Sequence, residues 1–214
     1  VPGDPQHVIY VWFDALINYL SAIDYFSEKS DKKHFWPADL HLIGKEISWF
    51  HVVIWPCLLL ALGIELPKKV FSHGWLTIDG QKMSKSLGNV IDPFEIAERY
   101  GVDSLRYYLA SQINFGNDGD YSEEKLIRKY TADLANCIGN LLNRTVSMIS
   151  KYRSGKIVKK QVNNLDCQEV LQIASKLESM TAPHYQSLEI HRIHEEILKL
   201  ANASNQLIVK KEPW

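Results

Sequence analysis

The first 115 residues alternate short apolar runs with longer amphipathic stretches. The apolar runs at 8–12, 40–43 and 69–73 are rich in β-branched and aromatic residues, which predicts three strands, the first of them buried. Apolar residues between these runs recur every three or four positions, which predicts helices that begin near Asp14 and Glu46, the second kinked by a proline. This order of strands and helices predicts a doubly wound, parallel α/β sheet.

The pattern becomes helical in the second half of the chain. A turn at Gly116-Asn117-Asp118-Gly119 separates it from two shorter helices that are expected to begin at Asp92-Pro93 and Asp103. Beyond Ser122, three- and four-residue spacing predicts one buried stripe formed by Leu126, Tyr130, Leu134, Ile138, Leu141, Thr145 and Met148. Helices over 166–180 and 185–207 complete a bundle. We therefore predict an α/β domain over 1–118 and an all-α domain over 119–214.

Composition narrows the class of protein without naming a function. The 214 residues carry a formal net charge of -1, so RNA contacts would have to come from local basic clusters. The three cysteines show no metal-binding spacing, and we expect a reducing compartment and no metal site. The longest apolar stretch, 52–62, is too short to span a bilayer, so no membrane is expected as a partner.

Two lysines and two serines lie together in the segment Lys82-Met83-Ser84-Lys85-Ser86, between the turn signal Asp79-Gly80 and Gly88. Ammonium groups and hydroxyls on a short loop can bind a polyphosphate, and cations directed at a departing pyrophosphate stabilise a transition state. A solvated basic turn is the alternative for this segment taken alone.

Five motifs in the chain together resemble one family. They are Trp12-Phe13-Asp14-Ala15-Leu16-x-x-Tyr19, His41-Leu42-Ile43-Gly44-Lys45-Glu46, His73-Gly74-Trp75, the lysine–serine segment, and Gly139-Asn140-Leu141-x-x-Arg144. They resemble the methionyl-tRNA synthetases, which are class I aminoacyl-tRNA synthetases, and are most similar to bacterial and organellar members. The resemblance implies part of a Rossmann-type catalytic domain followed by a helical anticodon-binding domain. It also implies the activity, which joins L-methionine to tRNA(Met) through methionyl-adenylate and uses ATP and Mg²⁺.

The resemblance assigns a methionine pocket to residues Trp12, Ala15, Tyr19, Ile47 and His51. A thioether packs well against aromatic rings and is a weak hydrogen-bond acceptor. We expect the Tyr19 hydroxyl and the His51 ring each to direct a hydrogen bond at the sulfur. An ordinary core stripe with a satisfied histidine is the alternative for any one of these residues.

The resemblance also assigns ATP contacts to Gly44, Glu46, Lys82, Met83, Ser84, Lys85 and Ser86. Lys82 and Lys85 are the expected catalytic residues. Glu46 is expected to bind the ribose hydroxyls, although many family members have aspartate there, and a first-turn acid that favours the helix dipole is the alternative.

Anticodon recognition is implied for Asn140, Arg144 and Trp214. Asn140 and Arg144 are one helical turn apart, and an amide and a guanidinium can hydrogen-bond unstacked base edges. Trp214 is expected to stack on a base. The alternatives are a surface arginine and a tryptophan that packs the last helix.

The second motif of class I synthetases, His-x-Gly-His, does not occur at any of the eight histidines. We therefore expect the chain to start inside the catalytic domain and to be inactive alone. Two other functions stay open: a non-catalytic tRNA-binding module, and a class I synthetase for valine, isoleucine, leucine or cysteine. The expected compartment is the bacterial cytoplasm or the mitochondrial matrix.

Overall fold

The described residues form two compact units. The computed structural model describes residues 1–78, 80–84, 88–157 and 167–213. The units are Val1–Trp75, which is α/β in character, and Leu76–Trp214, which combines a small sheet with long helices.

Two parallel strands lie between helices in the first unit. In chain order its main elements are α1 (Val11–Ser21), β1 (His41–Gly44), α2 (Trp55–Ala61) and β2 (Val70–His73). His41 pairs with Val70, and Gly44 pairs with His73. The predicted second and third strands are confirmed to within one residue, and their parallel pairing agrees with the predicted α/β architecture.

The core of the first unit forms between α1 and α2. Leu16 and Leu20 on α1 are fully buried with Trp55 and Leu59 on α2, and Ile64 completes the cluster. Each pair is four residues apart and therefore shares one helix face. Full burial of such side chains stabilises a fold by about 1.5–3 kcal/mol each, so this contact fixes α1 against α2.

The first predicted strand, 8–12, is wrong. Helix α1 begins at Val11, and Val8 and Ile9 are 89% and 61% exposed. Among the described residues β1 and β2 hydrogen-bond only to each other, so the apolar run has no strand neighbour, and apolar residues without a ladder do not form a strand. Asp14 lies in the first turn of α1 and does not cap it.

The helix predicted from Glu46 is present but irregular. A 3₁₀ turn at Lys45–Ile47 and a π-helical turn at Phe50–Ile54 precede α2, in place of a single α-helix kinked at Pro56. Pro56 has no amide hydrogen to donate back along the helix, and a wider π turn immediately before it accommodates that loss.

A three-stranded sheet opens the second unit. Its strands are β3 (Leu76–Ile78), β4 (Gln81–Lys82) and β5 (Gly119–Tyr121), in the order β4-β3-β5. β3 and β4 form an antiparallel hairpin whose turn includes Gly80 at φ 73°, as the turn signal predicts. Strand β5 runs parallel to β3 where the sequence predicts only a break, because three residues are too few to show a periodicity.

Helices make up the rest of the second unit. They are α3 (Pro93–Tyr100), α4 (Val102–Gln112), α5 (Glu123–Lys129), α6 (Asn140–Arg153), α7 (Gln168–Ser187) and α8 (Ile190–Lys211), with a π-helical segment, Tyr130–Gly139, between α5 and α6. As predicted, α3 begins at Asp92, whose carboxylate accepts the Phe94 amide hydrogen, and α5 begins after Ser122, whose hydroxyl caps it.

The predicted buried stripe is interrupted at the π-helical segment. Leu126 is fully buried, but Tyr130 and Ile138 are 44% and 38% exposed, and Cys137 is buried instead. A π-helix has more residues per turn than an α-helix, so positions four apart drift off the buried face.

The predicted helix break near residues 180–185 is also wrong. Helix α7 continues through Pro183 to Ser187 and ends where Leu188 adopts a left-handed conformation at φ 62°. The Glu189 amide then donates to the His184 carbonyl, which closes the helix end in the manner of a C-terminal cap.

Candidate functional site

A hydrogen-bonded pair, Tyr19 and His51, lies at the centre of the predicted methionine pocket. The Tyr19 hydroxyl, on α1, is 2.9 Å from Nε2 of His51, which lies in the π-helical turn before α2. His51 is 2% exposed, whereas Tyr19 is half-buried, so the pair has one enclosed member and one at the surface. Burial also raises the pKa of Tyr19, which keeps its hydroxyl protonated.

The second ring nitrogen determines the direction of this bond. Nδ1 of His51 is 3.1 Å from the Ile47 carbonyl oxygen, which can only accept, so the hydrogen of the neutral ring is on Nδ1. Nε2 is then the acceptor, and Tyr19 donates to it. The Tyr19 hydrogen is thus used within the pair, and a hydrogen bond from either group to a methionine sulfur stays a prediction.

Trp12 provides an aromatic wall beside the pair. Its ring stacks on Phe50 at 4.1 Å between centroids and meets the His51 ring edge-on at 6.3 Å. Ala15 lies between Trp12 and Tyr19 along α1 and is exposed, so a small side chain stands next to the aromatic groups. The structure thus brings Trp12, Tyr19 and His51 into contact.

Glu46 is held by a tryptophan at the end of the first unit. The Trp75 indole donates to Oε2 of Glu46 at 3.1 Å, and the Lys45 ammonium lies 4.1 Å from the Trp75 ring centroid. A Cβ at Gly44 would lie 2.6 Å from Oε2 of Glu46, so glycine leaves room for the carboxylate to fold back over the chain. Glu46 is therefore positioned by side-chain contacts as well as by its place in a helical turn.

The lysine–serine segment is in part a strand. Lys82 is exposed and ends β4, paired with Thr77, while Met83 and Ser84 follow it and are half-buried. Met83 lines an apolar cavity of 160 Å³ together with residues of α3 and α4. Lys85 and Ser86, predicted to contact ATP, lie outside the described residues.

Two of the three predicted anticodon residues lie on one helix, α6. Asn140 and Arg144 are both exposed in the first two turns of α6, one turn apart as predicted. Arg144 lines a groove of 360 Å³ that continues along α6 past Lys151 and Tyr152, with Ile208 of α8 on the other side. The groove therefore combines cationic and aromatic groups, which suits an unstacked nucleotide. Trp214 lies outside the described residues.

Comparison with known proteins gives a consistent answer. The model of the family described as tRNA synthetases class I (M) matches residues 1–146. The chain belongs to this family. A methionine–tRNA ligase from Caldanaerobacter subterraneus subsp. tengcongensis is 49% identical over the whole chain, and one from Thermotoga maritima is 60% identical over 72% of it.

The chain spans about a third of the length of the Caldanaerobacter protein, 34%, and its match to the Thermotoga protein covers 24% of that relative. A solved methionyl-tRNA synthetase from Mycobacterium tuberculosis, bound by methionyl-adenylate, superimposes with a TM-score of 0.92 at 40% identity. That alignment covers all of this chain and 42% of the other. Both predicted parts of the architecture, a partial class I catalytic fold and a helical region, are confirmed.

Further aromatic residues, whose role the sequence did not predict, surround the Tyr19–His51 pair. His41 is 5% exposed, lies 4.4 Å from the Tyr19 ring and accepts a hydrogen bond from the Trp55 indole at 3.3 Å. Burial, and then the neighbouring His51, lower the pKa of His41. The sequence did contain one indication that His41 is buried. Side chains of a strand alternate between its two faces, so His41 lies on the same face of β1 as the buried Ile43.

The supports of the predicted anticodon helix were also missed. Tyr107 of α4 donates to Asp133 at 2.8 Å, and Asn205 of α8 donates to the Cys137 carbonyl at 3.0 Å. Burial first and Asp133 second raise the pKa of Tyr107. These hydrogen bonds anchor the π-helical segment that leads into α6. They were missed because no periodicity in the sequence indicates a π-helix.

The described residues contain neither a candidate metal cluster nor a candidate membrane-spanning helix. They contain no group of three His, Cys, Asp or Glu side chains that could hold a metal ion. No described helix combines the length and apolar character needed to cross a membrane.

Proposed function

We propose that this chain is part of an enzyme that activates L-methionine with ATP and transfers the methionyl group to tRNA(Met). The observation that carries the proposal is the Tyr19–His51 pair against Trp12, in a chain of this synthetase family. A polarizable thioether packs favourably against aromatic edges and faces, whereas the branched alkyl chain of leucine gains less there.

In the proposed reaction the methionine carboxylate attacks the α-phosphorus of ATP. The bond from that phosphorus to the pyrophosphate breaks as the new O–P bond forms. Lys82 and Lys85 stabilise the charge that collects on the pyrophosphate, and Met83, Ser84 and Ser86 contribute further ATP contacts. Gly44 lies at the ATP site, and Glu46 binds the ribose hydroxyls. The support for Lys85 and Ser86 is the resemblance of their motif to the family.

We propose that Mg²⁺ arrives with ATP. The support is that the described residues contain no group of three His, Cys, Asp or Glu side chains that could enclose the ion by themselves. Mg²⁺ binds readily through substrate phosphates and keeps several of its waters.

We propose that Asn140, Arg144 and Trp214 recognise the anticodon of tRNA(Met). The support is the groove along α6, in which Arg144 is followed by Lys151 and the aromatic Tyr152. Residues 1–118 would then serve amino-acid activation and residues 119–214 tRNA binding. We place the enzyme in a bacterial cytoplasm or a mitochondrial matrix.

Calorimetric titration of the full-length protein with L-methionine and L-leucine tests the proposal. Tyr19→Phe keeps the ring but removes the hydroxyl that bonds to His51. We expect the loss of this one hydrogen bond to weaken methionine binding about 2- to 10-fold, because His51 is then less well positioned. Tyr25→Phe, a half-buried tyrosine in the same unit, is the matched control. Equal affinity for methionine and leucine would refute the assignment of the pocket.

A further inference from the structure

Lys82, Thr77 and Asp120 form one row across the small sheet of the second unit. Thr77 of β3 pairs with Lys82 of β4 on one side and with Asp120 of β5 on the other. Directly paired residues of neighbouring strands share a face of the sheet. The lysine and the carboxylate therefore lie on the same face, with the threonine between them.

Asp120 fixes the beginning of the segment that carries Lys82. Its Oδ1 accepts hydrogen bonds from the Thr77 hydroxyl and from the Gly80 amide, both at 2.9 Å. Gly80 belongs to the turn from which β4 begins, so the carboxylate ties that turn to β5. The Lys125 ammonium is farther from Asp120, at 3.5 Å, and bonds to Oδ2.

Asn89 fixes the other end of the same segment. Its Oδ1 accepts the Ser84 amide hydrogen at 2.8 Å, and its Nδ2 donates to the Lys82 carbonyl at 3.3 Å. One side-chain amide thus bonds to two backbone groups of this segment. The backbone is held at Gly80, Lys82 and Ser84 by two side chains from outside the segment.

We propose that Asp120 and Asn89 are positioning residues for Lys82. A lysine side chain carries its ammonium group on a flexible four-carbon stem, so the position of that group depends on the position and direction of the backbone at the lysine. Fixing that start before ATP binds lowers the entropic cost of the reactive arrangement, and a displacement of about 1 Å can reduce rates by 10²-fold. The inference rests on the proposed role of Lys82 in methionine activation.

Asp120→Ala and Asn89→Ala in the full-length protein test the proposal. In methionine-dependent exchange of pyrophosphate with ATP, we expect kcat to fall about 10- to 100-fold in each variant. The KM for methionine and the melting temperature should stay near their wild-type values. Asp120→Asn retains an amide oxygen that can accept both hydrogen bonds, and it should restore most of the rate.

Two controls match these changes. Lys125→Ala removes the distant charge partner of Asp120 but leaves the bonds to the turn, and Asn117→Ala repeats the amide deletion at an exposed position. Both should react at the wild-type rate. Hydrogen exchange of the peptide over 80–84 gives a second readout, because each alanine variant should speed exchange of the amide that it releases, Gly80 or Ser84.

The outcomes separate the two proposals. If the wild-type protein is active and both alanine variants react at the wild-type rate, the positioning role is overturned. A fall in kcat that comes with a higher KM for methionine and a lower melting temperature also overturns it, because this combination indicates a purely structural effect. A wild-type protein without methionine-dependent exchange overturns the proposed function itself.

Discussion

The indole nitrogen of Trp75 lies 3.1 Å from Oε2 of Glu46 and donates a hydrogen bond to it. Trp75 stands at the end of the motif that follows β2, and Glu46 follows β1, so the contact joins the ends of the two parallel strands. Open α/β sheets bind ligands outside these strand ends. The tryptophan therefore helps to position the carboxylate that we expect to bind ribose.

We predict that Trp75→Phe raises the KM for ATP in the full-length protein about 2- to 10-fold, the effect of one hydrogen bond. The KM for methionine should not change, because Trp75 is not among the residues of the methionine pocket. Steady-state pyrophosphate exchange measures both constants. Trp49→Phe, at a position 64% exposed in the same unit, is the control, and an unchanged KM for ATP in Trp75→Phe would contradict the role.

Gly139 ends the π-helical segment at a point of close contact. A Cβ there would lie 2.9 Å from the Leu134 carbonyl oxygen. We predict that Gly139→Ala destabilises the protein by about 1–3 kcal/mol, as overpacking does, and weakens tRNA binding because α6 begins at the next residue. Urea unfolding and filter binding measure the two effects. Thr131→Ala, at an exposed position in the same segment, should change neither, and a fully stable Gly139→Ala variant would exclude this account.

Arg144 is predicted to contribute to tRNA binding directly. Arg144→Ala should weaken binding of tRNA(Met) about 5- to 150-fold, the range for a base contact worth ~1–3 kcal/mol. Adenylate formation should stay unchanged. Arg192→Ala on α8 removes the same charge from a 53% exposed side chain and controls for general electrostatics. A tRNA with an altered anticodon should bind wild type and Arg144→Ala equally; a difference there would count against base recognition.

His41 gives the first unit a pH dependence. Its pKa in the folded state is lowered from 6.5, first by burial and second by His51, so the unfolded chain binds a proton more readily. The contribution of the neutral His41 to the free energy of unfolding is then fully present above about pH 6.5, and it is lost as the pH is lowered through the folded-state pKa. We predict that His41→Gln, which retains an acceptor for the Trp55 indole, flattens this fall in urea unfolding between pH 7 and 5. An identical slope in the variant would rule out His41 as the cause.

The sequence predicted those parts of the site that depend on a simple period. Asn140 and Arg144 are one turn apart on α6 as expected, and strands β1 and β2 lie where their apolar runs predict. It did not predict the π-helical turns, which place His51 against Tyr19 and hold the start of α6. Such turns depend on tertiary supports, for example the Tyr107–Asp133 bond, that lie far apart in sequence.

The 8–12 run illustrates a second limit. A run of apolar, β-branched residues favours burial, but it forms a strand only where a neighbouring strand completes its backbone hydrogen bonds. The described residues provide none there, so the helix that carries Leu16 and Leu20 begins at Val11 instead. The role of Asp120 was hidden for a related reason, since three-residue strands show no pattern.

The decisive experiment for the proposed activity is methionine-dependent exchange of labelled pyrophosphate into ATP, measured on the full-length protein with methionine and leucine in parallel. We expect exchange with methionine at a higher kcat/KM than with leucine, and a smaller preference in Tyr19→Phe. Exchange with leucine as efficient as with methionine, or no exchange with methionine, would contradict it.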